Sequence, residues 1–300
     1  MARDGAIPRS QKLSLQHIDT LLDELAAEPV QRWDNKYAVP KLDLSEVRHF
    51  SPAGLLAIWA YKKWRNESGV EMYVGSPGGK RHYYLIFMKF FDAIAEHGHK
   101  ASRFWNPLDA CPDVLFPITT IATSKDVERA TLAARTRVGR LLMSSLGYDR
   151  DDVNAFTTFV GEACNNVVDY AGQHGALAAA KYRAGGKDHV QICVADTGCG
   201  IRRSLRTHHR KATQSDEAAV HAALQKGISG SGSKTRGNGL ATMRAAVARF
   251  DGVLDIISGH THCCVHGPTE AFRTLKHPFP GTLIATDLVK TETGQRVLAF

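Results

Sequence analysis

The chain has no apolar run long enough to cross a bilayer: its greasiest stretch, Tyr83 to Phe91, is short and interrupted by Lys89. The opening Met-Ala-Arg-Asp-Gly-Ala-Ile-Pro-Arg-Ser holds no apolar core of signal-peptide length. Together these absences set the expectation of a soluble, unexported, cytoplasmic protein. Cysteine is sparse, six in 300 residues, and scattered (Cys111, Cys164, Cys193, Cys199, Cys263, Cys264), unlike a small secreted disulfide scaffold, so reduced thiols are expected. There is no Cys-x-x-Cys pair, and neighbours such as Cys263 and Cys264 would point to opposite faces of a strand. His260, His262, His266 and His277 beside them are therefore read as parts of an edge hairpin, not of a zinc site. No aromatic-interleaved platform accompanies the basic run Arg202, Arg203, Arg206, Arg210 and Lys211. That run is read as a solvated face first, a dock for an acidic partner second and a nucleic-acid surface last.

What is present is ample apolar matter, 43% of the residues, enough for a sizeable core and, at this length, for two domains. A formal net charge of +8 favours anionic partners, among them nucleotides, acidic proteins, nucleic acid and membrane surfaces, without choosing between them.

Leu13, Leu15, Ile18, Leu21, Leu22 and Leu25 recur at helical spacing, so a helix is expected to about Glu28, with Ser14 or Ser10 as its cap. A strand-like run from Tyr37 to Val47 follows, then a helix opened by Ser51 with Pro52 in first position, a short strand over Val70 to Val74 and a mostly buried helix over Tyr83 to Ile94. Pro107, Pro112 and Pro117 mark a linker or an edge strand, which places a boundary near Cys111. Beyond it, helices are expected over Asp126 to Leu146, Asp151 to Tyr170 and Gly239 to Arg249. Strands are expected over Val190 to Ala195, Val253 to Ser258, His262 to Val265 and Thr282 to Leu288, and Arg202 to Thr235 reads as a polar excursion rich in Gly and Ser. Helices grouped with a sheet, without strict alternation, indicate an α+β two-layer sandwich.

Three boxes carry chemistry. Glu162 and Asn166, four apart on a helix, project from one face. An amide oxygen there can ligate a hard cation that also takes phosphate oxygens, and the carboxylate can deprotonate a water or hydroxyl. Asp196 stands where a strand runs out into Gly198 and Gly200, which let the backbone approach a flat ligand, and its carboxylate can accept from an exocyclic amine such as that of adenine. Gly227 to Gly239, with Lys234 and Arg236, forms a basic loop before a helix, a phosphate cradle that does not follow the P-loop pattern. Each box alone has a plainer reading: a solvated helix face, an Asp-Thr-Gly turn and a surface loop.

Their order changes that. Glu-x-x-x-Asn, Asp-x-Gly-x-Gly, a lid-length insert and Gly-x-Gly-Leu at a helix start resemble the Bergerat-fold, or GHKL, ATPases over about residues 120 to 290, with Gly281-Thr282 like the superfamily's closing Gly-Thr. The resemblance implies ATP and Mg²⁺ as cofactors, Asn166 as metal ligand, Glu162 as candidate base and Asp196 as reader of adenine. It further implies that Gly198 and Gly200 shape the adenine pocket, that Lys234, Arg236, Gly237, Asn238, Gly239 and Leu240 surround the phosphates, and that Thr282 also binds the nucleotide.

The branch that looks closest is the anti-sigma serine-kinase-like one or the compact histidine-kinase-like one. Asp126 to Leu146 contains no histidine, so autophosphorylation on a preceding helix is not expected, and a chain ending at Phe300 sets the expectation away from gyrase-like and mismatch-repair enzymes. Upstream, Leu42 to Ile58 resembles the core of the STAS (anti-anti-sigma-factor) domain over about residues 30 to 100. Its phosphorylated serine falls on Pro52, which has no hydroxyl, and Ser51 reads as a helix cap. The expected division is a helix at 1–29, a STAS-like domain at 30–110, a GHKL domain at 111–290 and a tail at 291–300. The expected function is a Mg-ATP-binding regulator that hydrolyses ATP slowly or phosphorylates a protein partner, STAS-like or another signalling protein, with lid closure. A non-catalytic ATP-gated switch stands as the alternative, and nucleotide-driven homodimerisation through the helix from Leu13 to Leu25 as a third.

Overall fold

A computed structural model describes residues 12–14, 17–26, 41–69, 72–94, 111, 113–172, 174–184, 186–228, 230, 238–250 and 252–289. At the amino end, β1 (Lys12–Leu13) precedes α1 (Ile18–Ala26), so Leu13 lies in a strand and not in the helix expected there. Ile18, Leu21, Leu22 and Leu25 are all buried within the chain, which leaves that apolar face filled. Then come β2 (Lys41–Asp43), β3 (His49–Phe50), α2 (Pro52–Glu67) and β4 (Tyr73–Gly75), with β1 parallel to β3 and β2 parallel to β4. Ser51 caps α2, its Oγ accepting from Gly54 N at 3.1 Å, and Pro52 sits where a missing N–H costs nothing. The single helix expected over Tyr83 to Ile94 is instead two, α3 (Lys80–Phe87) and α4 (Phe90–Ile94), parted where Lys89 takes a positive φ of 53°.

The rest is built on five antiparallel strands in the order β5-β6-β7-β9-β8: β5 (Val114–Ile121), β6 (Gly175–Ala184), β7 (Lys187–Asp196), β8 (Val253–His266) and β9 (Thr269–Val289). Pro117 lies in edge strand β5, where a lost donor does not break an inner ladder. Strand β6 was not expected from the sequence, and the three carboxy-terminal strands expected merge into the long β8–β9 hairpin.

Side chains alternate across the sheet, and both faces are covered. On one, Leu177, Val190, Ile192, Val194, Ile256 and Ile284 pack beneath α5 (Ser124–Ala133), α6 (Gly139–Leu146) and α7 (Arg150–Tyr170). Helices α5 and α6 are joined by one π-helical turn at Ala134–Val138, so the helix expected over 126–146 is one rod with a bulge. On the other face, Ala176, Ala178, Cys193, Ala195, Leu283 and Ala285 share a core with Leu22, Leu55, Leu56 and Ile58. Ala53 N donates to the buried Gln191 Oε1 at 3.1 Å, which seats the amino end of α2 on β7. Residues on both sides of the boundary drawn near Cys111 thus belong to one core.

The polar excursion expected after Arg202 is in part helical: α8 (Gly200–Leu205), a 3-10 turn (Arg210–Thr213) and α9 (Asp216–Ala223) precede α10 (Gly239–Ala248). Arg202 is not a free surface cation; it donates to Thr213 O and Gln214 O and pairs with Asp216. Among the described residues, no helix is long and apolar enough to cross a membrane.

Candidate functional site

Helix α7 is fixed in phase by its first turn. Asp149 and Asp152 form a reciprocal capping box, Asp152 N to Asp149 Oδ1 at 2.8 Å and Asp149 N to Asp152 Oδ2 at 3.0 Å. Arg249, just past α10, donates to Asp152 Oδ1 at 2.7 Å and ties the two helices together. Phe156, Val160, Ala163, Cys164 and Val167 point into the core, which turns Glu162 and Asn166 towards a cavity of about 520 Å³.

The amino end of α10 closes on the same two side chains. A Cβ at Gly239 would lie 3.0 Å from Glu162 Oε2 and 3.5 Å from Asn166 Oδ1, so a side chain there would crowd the Glu162 carboxylate. Asn238 gives α10 no side-chain cap; its Oδ1 accepts instead from Gly227 N at 3.3 Å. The helix dipole at this end favours an anion beside Glu162 and Asn166. Burial first, then the charge of Asp169, push the Glu162 carboxyl above its ordinary range.

Asp196 lines the same cavity at the end of β7, paired in register with Thr282 of β9, which is paired in turn with Ser258 of β8. Its Oδ1 accepts from Gly198 N at 2.8 Å and Thr282 N at 3.2 Å. Part of its surface opens to the cavity, but protein surrounds most of the carboxyl. That burial pushes its pKa up to about 7, against the pull of the two backbone donors. Three glycines permit this crowding. A Cβ would meet Ala171 Cα at 2.7 Å from Gly198, Ser258 Oγ at 3.0 Å from Gly200 and the Asp196 carbonyl oxygen at 2.2 Å from Gly281.

Of the residues singled out from the sequence, Glu162, Asn166, Asp196, Gly200, Asn238, Gly239, Leu240 and Thr282 line this one cavity, and Gly198 lies just behind Asp196. Lys234, Arg236 and Gly237 lie outside the described residues. Sequence reasoning missed Ile201, Leu205 and Ile228, which give the cavity apolar lining, Ser204 beside them, and Ser258, whose hydroxyl accepts from Ile201 N. The alternation of Ile201 and Leu205 with arginines was the available sign of α8.

Apolar lining with one buried acceptor suits a flat heterocycle bearing an amine, and the amide, carboxylate and helix amino terminus that line the same cavity suit phosphate with a hard cation. Among the described residues, no group of three or more His, Cys, Asp or Glu could hold a metal ion, so a cation here would need ligand oxygens as well.

Residues 123–254 match the family model described as "Histidine kinase-like ATPase domain", and the chain carries such a domain over that span. Among solved structures, the chain is similar to one titled "Mycobacterial sensor histidine kinase MprB" at 15% identity and a TM-score of 0.30, covering 57% of this chain and 97% of that one. No curated protein matches.

Proposed function

We propose that this chain is a Mg-ATP-dependent regulator in the cytoplasm that hydrolyses ATP slowly or passes its γ-phosphoryl group to a protein partner. The carrying observation is that Asp196 and the Glu162–Asn166 pair, from separate boxes, line one cavity with Gly239 against the pair. The family match supports ATP binding by residues 123–254. Adenine lies against the apolar lining, its amine donating to Asp196. The phosphates meet the α10 amino end, with Lys234, Arg236 and Gly237 assigned to the same role. Mg²⁺, when bound, neutralises phosphate charge, with Asn166 as its protein ligand. Glu162 takes the proton of the attacking water or hydroxyl; a carboxylate raised by burial is better matched to that task at neutral pH than an exposed one. Helices α8 and α9 with the following segment form the lid whose closure a partner senses.

Glu162 in the cavity favours the enzyme over the non-catalytic switch. Glu162→Gln should leave ATP affinity within about threefold and cut turnover by about 100-fold or more, the usual range for a lost general base. Unchanged turnover in the variant would remove Glu162 as the base, and absence of turnover in a wild type that binds ATP would leave the switch reading standing.

A further inference from the structure

Ser258 is 3% exposed at the end of β8's regular pairing with β9, and its hydroxyl bonds to two different segments, one of α8 and one of β9. It accepts from Ile201 N at 2.9 Å and donates to Gly281 O at 3.1 Å. Ile201 is in the first turn of α8, where backbone donors have no partner within the helix. The residue preceding that helix, Cys199, offers no side-chain cap, so a serine from a distant strand supplies the acceptor. Gly200 adopts φ +73° and packs directly over the hydroxyl, while Gly281 adopts φ +109°.

The two segments that Ser258 joins are those that feed Asp196. One contains Gly198 and the other Thr282, whose N–H groups both reach Asp196 Oδ1. With Oδ1 held by two donors, Oδ2 is left to the ligand.

We propose that Ser258 is a positioning residue for nucleotide selection: it ties the Gly200–Ile201 turn to Gly281 and so holds the carboxylate of Asp196 in the orientation that accepts an exocyclic amine. The inference rests on the adenine-nucleotide reading above. Without the hydroxyl, a buried N–H and a buried C=O lose their partner at once, and the two segments can separate.

The test is calorimetric titration with ATP and GTP of wild type, Ser258→Ala, Ser258→Thr and Asp196→Ala, with turnover measured at saturating ATP. Ser258→Ala should weaken ATP binding about tenfold and narrow the preference over GTP by the same factor, with turnover at saturation within about twofold. Ser258→Thr, which keeps the hydroxyl, should restore affinity and preference. A residue needed only for folding would instead lower the active fraction and leave affinity and preference unchanged, which overturns the proposal. Should Ser258→Ala not fold, Ser258→Cys, of similar shape but a poor hydrogen-bonding group, carries the same comparison, and wild-type preference there overturns the proposal. If wild type binds ATP and Asp196→Ala does not, yet Ser258→Ala matches wild type, the positioning role falls alone. If wild type does not bind ATP, the nucleotide reading falls and this role falls with it.

Discussion

Thr282 donates its backbone N–H to Asp196 Oδ1 at 3.2 Å, and the two residues face each other directly across β9 and β7. The carboxylate that would read the ligand is thus held by the sheet itself, at the point where β7 gives way to a glycine turn. Gly198 adds a second donor at 2.8 Å. These bonds favour the ionised form but do not outweigh burial, which pushes the carboxyl up to about 7.

That balance makes nucleotide affinity depend on pH near neutrality. An ionised Asp196 accepts from an amine better than a protonated one, so ATP affinity should rise about tenfold between pH 6 and 8 and then level off. The dependence should shrink in Asp196→Asn, which controls for titration of the phosphates and of Glu162; an equally steep profile in that variant would assign the effect elsewhere. Stability without ligand runs the other way. A carboxyl raised in the folded state binds its proton more tightly there than when unfolded, so its contribution falls as pH rises from the ordinary carboxylate range to about 7.

The amino-terminal segment should melt with the sheet. Leu56 is fully buried in the core that α2 shares with Ala178, Cys193 and Ala285. Leu56→Ala should cost about 2–5 kcal/mol, the range for a leucine truncated in a packed core. It should lower the midpoint of one calorimetric transition that includes the strands. Two separated transitions, with only the first moved, would show that residues before Cys111 fold independently.

Legibility from sequence followed the range of the interactions. Ser51 with Pro52 and the α7 span are set by near neighbours or by fixed spacing, and these were readable, as was the start of α10 at Gly239. Strand β6 was not, because Ala176 to Ala180 are helix formers by propensity. The sheet uses their small size where α2 crosses one face and α7 the other, and packing overrides propensity. The break at Lys89 carries no Gly or Pro to announce it. Ser258 was invisible for a different reason: its two partners lie 57 and 23 positions away in the chain, so its role exists only once the sheet has formed. The capping of α7 by Asp149 was not read, since its reciprocal pairing with Asp152 shows only once the first turn has formed.

The central claim, that the cavity recognises an adenine nucleotide through Asp196, is tested most directly by calorimetric titration of wild type and Asp196→Ala with ATP and with GTP in the presence of Mg²⁺. The account predicts saturable ATP binding by wild type, at least tenfold weaker binding of GTP, and loss of ATP binding in the folded Asp196→Ala variant. Equal affinity for the two nucleotides, or undiminished ATP binding by the variant, would contradict it.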